Sequence, residues 1–205
     1  MPSIGITGGV ATGKSTVARQ LQESLRAIGP VDLFSSDFEA RRLTDSDFAV
    51  QEEIKAAFGV QVFDSKGVLA RDRLRDLVFK DRNARKVLES ILHPRIRQAW
   101  ISRTGGDRLF LAEIPLLYET GAESYFDKII VTACSRASQI ERILTGRRLP
   151  KELAEQIIEA QWALDEKIDR GDWVVWTDCP VEVTVQQVNL ISQQVFESYG
   201  GGIRC

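Results

Sequence analysis

Five short apolar runs punctuate the chain: Ile4–Thr7, Val31–Ser35, Leu109–Ile114, Lys128–Ala133 and Trp173–Trp176. Each is continuous rather than alternating, the pattern of strands buried on both faces of a parallel sheet. Helical spacing fills the intervals. Lys14–Ile28 carries Val17, Leu21, Leu25 and Ile28 on one stripe, and Val181–Phe196 carries Val181, Val185, Val188, Ile191 and Val195. Strands alternating with helices predict an open α/β sheet. Residues 37 to 103 break the rhythm. They are mostly helical in pattern, with Phe48, Ile54 and Phe58 on one stripe and Leu74, Leu77 and Val78 on another. Gly59, Gly67 and Pro94 are the expected turns of this helical insertion on the sheet.

Composition narrows the class. The 205 residues, 43% of them apolar, suffice for a full core. Lysines and arginines number 27 against 29 acids, a net charge of -2 without like-charge blocks, so nothing points to nucleic acid. Cys134, Cys179 and Cys205 are too sparse for a disulfide framework or a zinc site and suit a reducing compartment. Met1-Pro2-Ser3 leads directly into the first apolar run, and no long apolar stretch follows. The expectation is a cytoplasmic protein with no signal peptide and no membrane span. The glycines at 200–202 read as a frayed tail.

The chemistry begins at Gly8-Gly9-Val10-Ala11-Thr12-Gly13-Lys14-Ser15, a full G-x-x-x-x-G-K-[ST] motif between a predicted strand and a predicted helix. Glycines let the backbone curl so that successive N–H groups face phosphate oxygens. The following helix aims its positive end at the same place. The residues expected to hold ATP are Gly9, Val10, Ala11, Thr12, Gly13, Lys14, Ser15 and Thr16. Lys14 brings a mobile charge to the β- and γ-phosphates, and the Ser15 hydroxyl faces Mg2+. Glu113, ending an apolar run, is either a second group near the magnesium or a solvated loop residue.

A phosphate loop does not by itself separate kinases from other nucleotide hydrolases. The chain lacks the Asn-Lys-x-Asp guanine motif, and its length, helical insertion and arginine-rich stretch Arg136–Lys151 suit a small-molecule kinase. Gly5-Ile6-Thr7-Gly8-Gly9, Ser36-Asp37 with Arg41, Leu69-Ala70-Arg71 with Leu74 and Phe79, and Leu92-His93-Pro94 resemble the dephospho-CoA kinases. Pro115-Leu116-Leu117-Tyr118-Glu119, Phe126-Asp127, Arg142 and Gln161 are also similar to that family. The likeness runs in order from about residue 4 to residue 175, nearly the whole chain.

The resemblance implies a three-layer P-loop kinase fold with a parallel five-stranded sheet, a helical substrate-binding insertion and a lid. It divides the chain into a nucleotide-binding core (1–36, 104–135 and 171–200), a helical acceptor region (37–103), and a lid with its following helices (136–170). The implied reaction moves the γ-phosphate of ATP, with Mg2+, to the ribose 3′-hydroxyl of dephospho-CoA. Asp37 is then the base, or alternatively a helix cap. Arg41 and Arg71 are implied to hold the acceptor, though Arg71 also fits a plain surface charge. His93 is either an acceptor-site residue or a structural hydrogen-bonding group. Pro115, Leu116 and Leu117 are implied to lie beside the acceptor, and Glu119 either binds it or ties down its loop. Arg142, with Arg147 and Arg148, is implied to reach over the phosphates, or else forms a solvated helix face balanced by Glu141, Glu152 and Glu155.

Four positions depart from the family pattern. Ser35 and Gly146 stand where an acid and a second lid arginine are usual, Ala11 where glycine is common, and Thr177 where asparagine is expected. A kinase for another small acceptor, or a non-catalytic ATP-binding relative, is the rival expectation.

Overall fold

The computed structural model describes residues 1–27, 29–147 and 149–199, except for the side chains of Phe79 and Arg147. Ile28, the Arg148 half of the arginine pair, the 200–202 glycines and Cys205 lie outside it. The strands are β1 (Ser3–Gly8), β2 (Val31–Ser35), β3 (Leu109–Glu113), β4 (Lys128–Ala133) and β5 (Trp173–Trp176). They form one sheet in the order β2-β3-β1-β4-β5, and every neighbouring pair is parallel. Helices cover both faces: this is the predicted three-layer α/β arrangement. The predicted strands agree closely, with Ile114 falling just beyond β3.

The chain separates into two compact units, Met1–Ser35 with Arg103–Cys205 and Ser36–Ser102. The sheet belongs to the first. On one face, α1 (Lys14–Leu25) and α9 (Val181–Tyr199) press Val17, Leu21, Leu25, Val188, Ile191 and Val195 onto Ile4, Ile6, Leu111 and Ile130. On the other face Leu117 and Phe126 cover Gly5. A Cβ at Gly5 would sit 2.7 Å from Leu117 Cδ1, so bare backbone is what admits this layer. Helices α6 (Arg136–Arg147), α7 (Lys151–Glu159) and α8 (Leu164–Arg170) complete this unit. Asp127 accepts from Ser3 N–H (2.8 Å), and Asp172 accepts from Ile129 N–H (2.8 Å) and pairs with Lys128 (2.6 Å). These two aspartates tie the strand entries together.

The second unit is mainly helical: α2 (Ser36–Ser46), α3 (Phe48–Phe58), α4 (Arg71–Lys80) and α5 (Arg82–Ile101), with one antiparallel bridge between Phe63 and Leu69. Leu43, Val50, Ile54, Phe58, Leu74 and Ile91 build its own small core. Asp47 caps α3 by accepting from Val50 N–H, and Asp81 caps α5 through Asn83 N–H. Gly59 and Gly67 do turn the chain, with φ of 79° and 77°. Pro94 does not: it lies inside α5, a 20-residue helix. The ring removes one main-chain donor there, and the long apolar stripe from Ala84 through Ile91 to Trp100 carries the helix past it.

Strand β4 has neighbours on both sides, and Ile130 is fully buried in it. Ile130→Ala should therefore lower unfolding free energy by about 2–5 kcal/mol, measured by urea titration.

Candidate active site

The sheet order reverses beside β1: the chain first crosses to β2 and β3, then returns to β4 on the other side. Such a switch point opens a crevice outside the carboxyl ends of the strands. The phosphate loop, residues 8–15, leaves β1 at this crevice and runs into α1.

Its carbonyls are each taken by a protein donor. Lys14 Nζ donates to Gly9 O at 2.7 Å and to Gly8 O at 3.4 Å. Gln139 Nε2 donates to Val10 O at 2.8 Å. Arg142 Nη1 donates to Ala11 O at 3.2 Å. The Thr177 hydroxyl lies 3.1 Å from Thr12 O and 3.2 Å from Ala133 O, either of which accepts its proton. Turning carbonyls outward turns amides inward, which is what an anion site of main-chain N–H groups requires. Lys14 itself is buried, its ammonium resting on the loop.

Two backbone positions make the curl. Gly8 has φ 143°, and a Cβ there would fall 2.2 Å from Thr132 O. No side chain fits between β1 and β4 at that point. Ala11 has φ 59°, and among the described residues it is the one non-glycine with positive φ. That conformation costs an L-residue roughly 1–2 kcal/mol, which is the physical reason glycine is common at this place. The Thr12 hydroxyl, 2.7 Å from that of Thr132 and 2.8 Å from Gly9 O, braces the loop against β4 from below.

Ser15 Oγ donates to Glu113 Oε1 at 2.5 Å. Glu113 is buried at the end of β3, in register with Ile6 on one side and Ser35 on the other. The acid is thus a partner of Ser15 and not a solvated loop residue. Hydroxyl and carboxylate together make a hard oxygen pair that suits Mg2+ completed by phosphate oxygens and water. Among the described residues no set of three or more His, Cys, Asp or Glu is grouped to hold a metal without such help.

Arg142 stands over the loop rather than on a solvated face. Besides Ala11 O, it donates to Thr177 Oγ1 (2.9 Å) and Thr177 O (2.7 Å), and lies 3.6 Å from Asp178. Asp178 also accepts from Ser135 N–H at 2.7 Å. Hydrogen bonds from Ser135 and Ser138 hold its carboxyl below the ordinary 3.8, with Arg142 adding a smaller pull. Burial pushes the thiol of neighbouring Cys134 up.

The 115–119 turn divides the remaining predictions. Leu117 has no exposed surface and packs on Gly5, which leaves it nothing to offer an acceptor; its role is the core beneath the turn. Pro115 and Leu116 are partly exposed. Glu119 pairs at 2.6 Å with the fully buried Lys167 and accepts from Trp162 N–H at 3.1 Å. Lys167 also donates to Pro115 O at 3.3 Å, so the pair ties down the turn. Tyr118 stacks on Trp162 with centroids 6.2 Å apart, and burial, followed by nearby Asp172, pushes its phenol up to about 12.

Asp37, Arg41, Arg71 and His93 belong to the helical unit. Asp37 is exposed in the first turn of α2, two residues past the end of β2 and inside the helix rather than at its cap. Arg41 is exposed one turn later. Arg71 pairs with Asp45 at 2.6 Å and donates to Arg41 O and Thr44 Oγ1 at 3.2 Å, which brings it beside the second half of α2. His93 is exposed on α5.

Against this geometry, a family model described as dephospho-CoA kinase matches residues 2–182. The chain belongs to the dephospho-CoA kinase family. A dephospho-CoA kinase of Listeria monocytogenes is 34% identical over 191 residues, covering 91% of this chain and 93% of its own. A crystal structure of the Thermus thermophilus protein TT1252 superposes with a TM-score of 0.73 at 30% identity, covering 97% of this chain and 98% of its own. A dephospho-CoA kinase from Campylobacter jejuni shares the fold, with a TM-score of 0.63 at 22% identity, over 95% of this chain and 97% of its own.

Within this family member, two of the unusual residues have a visible place. Thr177 is wedged against the phosphate loop, its methyl 3.6 Å from where a Cβ on Gly13 would be. Gly146 lies in α6, where nothing approaches it. Sequence reasoning missed Gln139 and Lys167. Both sit among charged or polar residues on helices that read as surface, and no local spacing marks either as buried.

Two outcomes are expected. Ala11→Gly should raise the unfolding free energy by about 0.5 kcal/mol, the relief of left-handed strain less the added unfolded-state entropy of glycine, seen as a higher thermal midpoint. Asp178 has a lowered folded pKa, so its contribution is complete above the ordinary 3.8 and is lost as pH falls through the folded value. Asp178→Asn should therefore flatten the acid limb of stability against pH below about pH 4, followed by circular dichroism.

Proposed function

We propose that this chain transfers the γ-phosphate of ATP to the ribose 3′-hydroxyl of dephospho-CoA, giving ADP and CoA. The observation that carries the reading is the phosphate loop with its carbonyls turned outward, at the sheet's switch point, in a member of this family. Phosphoryl transfer asks mainly for positioning and for positive charge where the transferring group gains negative charge. The loop from Gly9 to Thr16 cradles the phosphates with its main-chain amides, apart from the Val10 N–H, which Gln161 engages. Lys14 leaves Gly9 O for the β- and γ-phosphates, and Arg142 meets the transferring group from α6. Ser15, with Glu113 behind it, holds Mg2+, which neutralises phosphate charge when bound with ATP.

Asp37 takes the proton of the 3′-hydroxyl as that oxygen bonds to the γ-phosphorus and the bond to the β–γ bridging oxygen breaks. Its support is its place just past β2 at the carboxyl end of the sheet, and its exposure. Arg41, Arg71 and His93 hold the anionic acceptor in the helical region 37–103, with Pro115 and Leu116 contributing from the 115–119 turn. Residues 136–170 act as the lid, and 1–36, 104–135 and 171–200 as the nucleotide core. No helix of the described residues is long and apolar enough to cross a membrane, and we place the enzyme in the cytoplasm.

The test is incubation with MgATP and dephospho-CoA, read by mass for one added phosphate. Lys14→Ala should abolish turnover while the protein stays folded, as judged by far-UV circular dichroism. Asp37→Asn should lower kcat by about 100-fold or more, with a smaller change in either KM. Robust turnover of a nucleoside monophosphate or gluconate, with none of dephospho-CoA, would overturn the acceptor; ATP binding without any product would overturn the enzyme.

A further inference from the structure

One residue of the phosphate loop is held at both ends of its backbone by side chains of the same type. The Val10 N–H donates to Gln161 Oε1 at 2.8 Å, and the Val10 carbonyl accepts from Gln139 Nε2 at 2.8 Å. Gln139 is 3% exposed, the fourth residue of α6, and its amide packs against Gly9: a Cβ there would come 2.5 Å from Nε2. Gln161 stands two residues past α7. The Val10 side chain is buried with Ile143 of α6 and Ala154 of α7. Val10 is therefore fixed by two polar and several apolar contacts, all from the 136–170 segment.

Loop amides that face phosphates are useful only while the loop keeps its curl, and Val10 precedes the strained residue Ala11. A two-ended grip on Val10 sets the direction of the next peptide, whose carbonyl Arg142 holds. We infer that Gln139 and Gln161 are positioning residues for ATP: one donor on α6 and one acceptor in the turn after α7, which fix the Val10 backbone and so aim the amides that follow. This rests on the reading of the loop as the ATP site. It assigns opposite polarities to two chemically identical side chains, something mere space-filling does not require.

Glutamate has nearly the shape of glutamine but offers only acceptors when ionised. At 161 the acceptor for Val10 N–H survives the exchange; at 139 the donor is lost and a carboxylate faces a carbonyl. Leucine at 161 keeps the bulk and removes the acceptor. The measurements are the dissociation constant for MgATP by calorimetry, kcat, and both KM values. Gln139→Glu and Gln161→Leu should each weaken MgATP by about tenfold or more, the loss of one buried hydrogen bond, while the KM for dephospho-CoA moves by less than about threefold. Gln161→Glu should recover most of what Gln161→Leu loses. The inference fails if Gln139→Glu binds MgATP within about threefold of the parent, or if Gln161→Glu and Gln161→Leu are equally impaired. Because MgATP binding is read separately from transfer, a parent protein that binds MgATP but leaves dephospho-CoA unmodified would sink the proposed reaction and still leave the two glutamines tested.

Discussion

A peptide unit can present its N–H to a ligand only if its C=O is satisfied elsewhere. The phosphate loop meets this condition carbonyl by carbonyl, with Lys14, Gln139, Arg142 and Thr177 as the outward partners. A buried carbonyl left without a donor loses about 1–3 kcal/mol, so these side chains define the loop's shape as much as its glycines do. The rest of the site depends on that shape. The amides, the start of α1, and the Ser15–Glu113 pair converge only if the loop keeps its turn.

The sheet supplies the rigidity the loop lacks. Gly8 has no room for a side chain beside Thr132, and Ala11 is held in a backbone state it would not choose alone. Both are tolerated because β1 lies between β3 and β4, bonded on each side, with Ile4 and Ile6 fully buried. Strain of this kind persists where surrounding structure over-determines it. The same economy appears at the 115–119 turn. There a buried ion pair, Glu119 with Lys167, holds irregular backbone in place, and Leu117 packs on the bare backbone of Gly5.

The helical unit follows different rules. Its core of Leu43, Val50, Ile54, Phe58, Leu74 and Ile91 is small, and its helices are set by caps and charge pairs. Arg71 illustrates the consequence. Its contacts with Asp45, Arg41 O and Thr44 lock α4 to α2 and leave Arg41 itself in solvent. A guanidinium already ordered by a neighbour loses less freedom when it meets an anion.

Much of this was legible in the sequence. Continuous apolar runs mark strands covered by layers on both faces, and all five strands lie where the runs predict. Strands β1, β3 and β4 are buried as expected, while the edge strands β2 and β5 stay partly exposed because each lacks a neighbour on one side. The phosphate loop is equally legible, since its glycines and its Lys-Ser pair answer to local backbone and charge requirements. What the sequence could not decide is everything that depends on contacts across long separations. Pro94 marks a turn by local rules, yet tertiary packing carries α5 through it. Leu117 and Glu119 belong to one motif, and only the fold shows one buried under Gly5 and the other tied to Lys167. Gln139 and Gln161 lie 129 and 151 residues from Val10. No local pattern records such a pairing, because a hydrogen bond is a fact of distance in space, and chain separation carries no trace of it.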